Sequence, residues 1–220
     1  MIWLILAAAL CPGGCNASSE AEQFMAPVIE RIESEQAKLA NLPADADLKT
    51  RFASVHVLDQ HPRQAMGQMG GLSPDERDRV RGQLGSLMKD LDRQNLAIVL
   101  EHLPPEGWYL QSRYGIEVAT TAFLVVQHSD LETWRRFVPV LEALVAQGEV
   151  SGTAYAMMYD RLALAEGRAQ AYGTQVTCME GEWQAINLEA PETVDQRRRE
   201  MGFPTTQAEY EAGFASYSCS

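Results

Sequence analysis

Four histidines, a set of aspartates and several arginines equip this chain for acid–base chemistry. The sharpest grouping is Gln127-His128-Ser129-Asp130. An imidazole next to a carboxylate can take a proton from a substrate or ligate a metal, because it titrates near neutrality and the carboxylate orients the ring. The same four residues also suit a purely structural junction. His128 would end one helix, where its positive form meets the helix dipole. Ser129 and Glu132 would form the capping box of the next, with Asp130 in its first turn.

Other polar residues could join His128 from afar. Asp59-Gln60-x-x-Arg63 places two opposite charges about one turn apart, able to pair if the helix runs on through Pro62. His56 lies three residues before Asp59 and could pair with it instead. Asp92 and Asn95 share one helix face. Asp160 and Arg161 are adjacent and point to different partners. A buried Asp160 needs a compensating group, for which Arg63 and His128 are candidates. In Tyr172-Gly173-Thr174-Gln175, Gly173 suits a turn that other residues resist, and Tyr172 and Gln175 could line a pocket with His128. Each set also has a structural explanation, as an ion pair between helices or as turn chemistry. His128, Asp130 and Asp160 are the catalytic candidates. Asp59, Gln60, Arg63, Asp92, Asn95, Arg161, Tyr172 and Gln175 are the substrate-binding candidates.

No phosphate loop, dinucleotide fingerprint, nucleophile elbow, zinc-protease helix or Cys-x-x-Cys pair is present. A metal on His128, Asp130 and Asp160 is conceivable, but no ligand spacing marks it. No metal or cofactor is read into the chain.

The elements that must position these residues are mostly helical. Amphipathic patterns predict helices over 20–40, about 47–61 (ended or kinked at Pro62), and from Ser73-Pro74-Asp75-Glu76 toward Leu103. There Ser73 and Glu76 suit a capping box with Pro74 in the first turn. Further helices are expected over 114–127, from Ser129 to about Gln147, and from Ser151 or Thr153 to before Gly167. Short connections make these antiparallel hairpins. Residues 175–179 and 183–188 flank Glu180-Gly181-Glu182 as one small β-hairpin near the C-terminus. Short helices follow over about 191–201 and 206–214. The fold class is therefore mostly α, with a single helical domain over 20–220.

The 220 residues carry a net charge of -12 and are 46% apolar. Such acidity repels phosphate backbones and anionic bilayers, which argues against nucleic acid and membrane surfaces as partners. Residues 1–17 read as an address. An apolar run from Ile2 to Leu10 is closed by Cys11-Pro12-Gly13-Gly14-Cys15, too short to span a bilayer and suited to a signal peptide. Cys15 after two glycines suits lipidation, with Pro12 at an unusual place for that signal. Free secretion with cleavage near Ala17 is the alternative. After export the remaining cysteines, Cys178 and Cys219, are expected to form a disulfide.

From about Asp59 to Met201 the chain resembles a bacterial family of uncharacterised proteins, the domain of unknown function 6624 group. Asp59-Gln60 with Arg63, Asp92 with Asn95, Gly107-Trp108 and Gln127-His128-Ser129-Asp130 carry the resemblance. So do Asp160-Arg161, Gly167 with Gln170, Tyr172-Gly173-Thr174-Gln175, and Val194-Asp195 with Arg198. Tyr109 stands where the family commonly has proline. The resemblance implies no particular activity, cofactor or substrate. Two functions fit the residues, and the first is preferred because every polar motif has an adequate structural explanation. One is an exported binding or interaction module for a peptide, protein or small molecule, attached to a membrane only through a lipid anchor. The other is a hydrolase-like enzyme with His128 as general base, Asp130 or Asp160 orienting it, and Arg63 or Gln175 binding substrate.

Overall fold

The computed structural model describes residues 19–216 and 219. The segment 1–17 expected to be a signal, with Cys15, lies outside the described residues. Helix α1 (Glu20–Ala40) opens on a capping box, in which Ser19 accepts the Glu22 N–H and the Glu22 carboxylate accepts the Ser19 N–H. Helix α2 (Leu48–Met66) is capped by Asp47 and runs on past Pro62, which is buried in its body. Proline withholds one helical N–H. Packing of the apolar face, rather than each single bond, holds such a helix together, so α2 continues where the sequence suggested an end.

Helix α3 (Pro74–Glu101) begins without the expected box. Ser73 makes no side-chain cap, and Glu76 instead accepts the Ala21 N–H at the start of α1, at 3.0 Å. In return Glu20 accepts the Ser73 N–H at 3.3 Å. The two N-termini, each the positive end of a helix, exchange carboxylates because they lie side by side. Further along, Gln36 donates to Gln94, so α1 and α3 run in the same direction and α2 returns between them.

Residues 114–127 do not form one helix. The short α4 (Gln111–Tyr114) and α5 (Ile116–Gln127) are separated by Gly115, whose φ of 86° breaks the helical path. Contacts from Lys49 to Glu117 and from His56 to Thr121 lay α5 along α2 in the same direction. Helix α6 (Leu131–Val145) starts at Asp130, whose carboxylate accepts the Thr133 N–H at 2.8 Å. Ser129 does not cap it; its hydroxyl donates back to the Val126 carbonyl at 2.6 Å. Helix α7 (Gly152–Ala165), capped by Ser151, packs back on α6, and Arg135 meets Glu166 at 2.7 Å.

Strands β1 (Val176–Met179) and β2 (Glu182–Ala185) form the expected antiparallel hairpin, shorter than the sequence pattern suggested, with Val176 opposite Ala185. Helices α8 (Val194–Glu200) and α9 (Gln207–Ala212) close the chain. The Cys178–Cys219 disulfide ties the hairpin to the tail. The fold is thus mostly α, as expected. Two apolar clusters support it. Met25, Val28, Ile32, Leu58, Val80 and Leu84 fill the space between α1, α2 and α3. Phe52, Val55, Trp108, Tyr109, Phe137 and Met158 fill the space between α2, α5, α6 and α7. Helix α2 serves both clusters, with Leu58 in one and Val55 in the other. Asp59 is the next residue after Leu58.

Candidate functional site

Parallel packing of α2 and α5 brings Asp59 to the end of α5, where His128 is the C-cap. The His128 Nδ1 lies 2.9 Å from Asp59 Oδ1 and 3.1 Å from Oδ2. Asp59 is almost enclosed, its side chain 1% exposed, whereas His128 is 17% exposed. Gln60 Nε2 donates to Asp59 Oδ2 at 2.6 Å. Arg63 Nη1 lies 3.5 Å from Asp59 Oδ1 and donates to its backbone carbonyl at 2.6 Å. The other arm of Arg63, Nη2, donates to both oxygens of Asp92 at 2.8 and 2.9 Å. His128, Asp59, Arg63 and Asp92 thus form one continuous network reaching from α5 across α2 to α3.

The charges follow from the contacts. Burial pushes the Asp59 carboxyl up, but the His128 hydrogen bond, the charges of His128 and Arg63 and the Gln60 amide outweigh it, holding the group below the ordinary carboxylate value. Burial dominates at Asp92 and raises it, despite the Arg63 bond. An ionised Asp59 only accepts hydrogen bonds, so Nδ1 carries the ring proton and Nε2 of the neutral ring keeps its lone pair. Nε2 has no protein partner among the described residues. The ring lines two clefts. One, of about 460 Å³, includes Ser86, Lys89, Asp92 and Asp130. The other, of about 540 Å³, includes Gln60, Arg63, Gln127, Trp108, Phe123 and Met157.

The end of α5 is held by donors from downstream. The Val126 carbonyl accepts the Ser129 hydroxyl and, at 3.0 Å, the Trp134 indole N–H. The Gln127 carbonyl accepts Arg161 Nη1 at 3.0 Å. Arg161 is partly exposed and sits over the Trp134 ring at 5.8 Å. Burial, then the nearby Arg63 charge, push its guanidinium down.

Not every candidate joins this site. Asp160 does not orient His128. It is 0% exposed and accepts the N–H groups of Ala171, Tyr172 and Thr174 and the Thr174 hydroxyl. Those donors supply the partner that Arg63 or His128 was expected to supply, although burial still raises the Asp160 carboxyl. Asp130 does not orient the ring either; it caps α6. Among the described residues no group of three His, Cys, Asp or Glu side chains could hold a metal ion, so the set of His128, Asp130 and Asp160 is not assembled.

Tyr172 packs against Tyr155 and Tyr159, and Gln175 donates to Thr174. Neither lines a cleft with His128. Gly173 has a φ of 66°, in the left-handed region that favours glycine, and a Cβ there would press on the buried Gln207 amide. Arg198, fully buried between Phe203 and Tyr210, holds the Tyr172 carbonyl and Gln207. The Asp160, Tyr172–Gln175 and Arg198 set is therefore a second network, holding the chain between α7 and β1. Asn95 is 0% exposed, and neither polar atom of its amide has a hydrogen-bond partner. His56 meets Thr121 rather than Asp59.

The sequence did not mark Asp59 as the partner of His128, because sixty-nine positions separate them. Their joint presence among the residues that carry the resemblance was the available signal. Arg161 as the donor that closes α5 was likewise not marked.

Among the described residues no helix is long and apolar enough to cross a membrane. Comparison with curated proteins and with solved structures finds no match. Residues 33–213 match the model of one family, a span wider than the resemblance noted in the sequence. By that match the chain belongs to the family of unknown function DUF6624.

Proposed function

We propose that the chain is a hydrolase-like enzyme in which His128 is the general base and Asp59 its orienting carboxylate. The observation that carries this reading is the geometry of one ring: Nδ1 fixed on a buried carboxylate at 2.9 Å and Nε2 left without a protein partner, on a residue that lines two clefts. A carboxylate behind the imidazole selects the tautomer and stabilises the positive ring that forms when Nε2 takes a proton. A water molecule or hydroxyl held in the cleft would lose its proton to Nε2 as it attacks, and the ring would return the proton to the leaving group. Arg63, held by both Asp59 and Asp92, braces Asp59 and contributes its edge to the larger cleft.

The setting we propose is outside the cytoplasm, in the bacterial envelope. The apolar run Ile2–Leu10 supports export. The Cys178–Cys219 disulfide suits an oxidising compartment. Mass spectrometry of the mature N-terminus tests this and separates lipidation at Cys15 from cleavage near Ala17.

The test of the chemistry is turnover. Wild type and His128→Gln are compared on chromogenic carboxylic esters, phosphate esters and peptide anilides, with thermal unfolding as a check on folding. One class is expected to be turned over by wild type and slowed about 10²–10⁴-fold in the variant. Equal rates in both proteins on every class would contradict the enzyme reading. They would favour the alternative, a module that binds a small molecule or peptide, which the apolar lining of the larger cleft by Trp108, Phe123, Leu124 and Met157 supports.

A further inference from the structure

Arg63 and Arg161 both stand at this site, but they are not equivalent. Arg63 is compensated by Asp59 and Asp92. Arg161 has no carboxylate partner among the described residues. Its Nη1 is used on the Gln127 carbonyl, and its Cζ lies over the Trp134 ring, 5.8 Å from the centroid. Its Nε and Nη2 have no protein partner among the described residues.

A partly buried cation without a counter-charge is costly. The negative end of α5, worth about half a charge, offsets only part of it. The cost is notable in a chain of net charge -12, where carboxylates are in excess and none is placed on this guanidinium. The free Nε–Nη2 edge is the planar fork that takes two oxygens of one carboxylate or phosphate side by side. Gln127, whose carbonyl Arg161 holds, directly precedes His128. Gln127 and His128 line the larger cleft, and Arg161, which is not part of that lining, is placed beside it by this bond and by its nearness to Arg63.

We propose that Arg161 binds an oxyanion of the substrate, a carboxylate or phosphate group, and so fixes the substrate beside His128. This deepens the general-base reading and rests on it for the place of the reacting bond. The binding step itself needs no chemistry at His128, so the two can fail separately.

The experiment is thermal unfolding and calorimetric titration of the full chain with inorganic phosphate and with sodium acetate, against sodium chloride at matched ionic strength. At about ten times its Kd, a bound anion is expected to raise the Tm by about 3 °C over chloride. Arg161→Gln is expected to abolish the rise. Arg161→Lys, which keeps the charge and loses the fork, is expected to retain a weaker one. This variant keeps the test valid if Arg161→Gln folds poorly. His128→Gln is expected to retain the anion effect even where it abolishes turnover. The anion that gives the larger rise identifies the group as carboxylate or phosphate. No rise with either anion, or an undiminished rise in Arg161→Gln, overturns the proposal whatever the outcome of the turnover assay.

Discussion

Asp59 touches an imidazole, a guanidinium and an amide, so its charge state couples to three neighbours. Its value in the folded chain lies below the ordinary one. The stability it contributes is therefore present above the unfolded value, near 3.9, and is lost as pH falls through the lower folded value. Asp59→Asn is expected to destabilise the chain by about 1–3 kcal/mol near neutrality, because Arg63 and His128 lose a charged partner. Urea unfolding of both proteins at several pH values checks this. The gap between them should narrow below about pH 4, where Asp59 of the unfolded chain begins to protonate while the folded chain still holds it ionised. A gap constant through that range would show that the carboxylate is not held ionised by its neighbours. Asp92 has the opposite sign, since burial raises it, and the nearby Asp59 charge adds to that rise, so the substitution also relieves part of the Asp92 shift.

Helix starts show how local signals and packing compete. Asp130 caps α6 through the Thr133 N–H, while Ser73 stands at the start of α3 without a cap bond. Asp130→Ala is expected to cost about 1 kcal/mol, the typical value of a lost cap. Ser73→Ala is expected to stay within about 0.5 kcal/mol, as for surface changes that break no such feature. Denaturation midpoints of the two variants decide between structure and sequence pattern, since the pattern alone ranks Ser73 as a strong cap. The sequence showed that a helix begins near each place. It did not show which acceptor would serve, because Glu76 is drawn to α1 by a neighbour whose nearness is a tertiary fact. Pro62 and Gly115 make the same point in opposite directions. The pattern overstated proline as a stop in α2, where packing holds the helix, and passed over a glycine that ends α4.

Across the whole molecule most of the polar residues that carry the family resemblance fall into two networks. Asp59, Gln60, Arg63, Asp92, His128 and Arg161 gather around the end of α5. Asp160, Gln170, Tyr172–Gln175 and Arg198 hold the approach to the β-hairpin. Adjacency in the sequence already sent Asp160 and Arg161 to different partners, as found, but spacing could not say which distant residues each would join. The helical class, the hairpin and the Cys178–Cys219 link were legible, since they rest on periodicity, turn residues and the cysteine count. The disulfide spans 41 positions and encloses Arg198 of the second network. Reduction is expected to lower stability by about 2–4 kcal/mol through the freedom returned to the unfolded chain. Urea midpoints with and without reductant measure this, and equal midpoints would show that the link restrains little.

The tautomer of His128 bears on the whole reading of the site. Two-bond proton–nitrogen correlation spectra of histidine-labelled protein, assigned with His128→Gln and recorded where the ring is neutral, report which nitrogen holds the proton. A protonated Nδ1 with a bare Nε2 is the predicted result, the state of a base oriented by Asp59. A protonated Nε2 would place a lone pair against the Asp59 carboxylate and contradict the account.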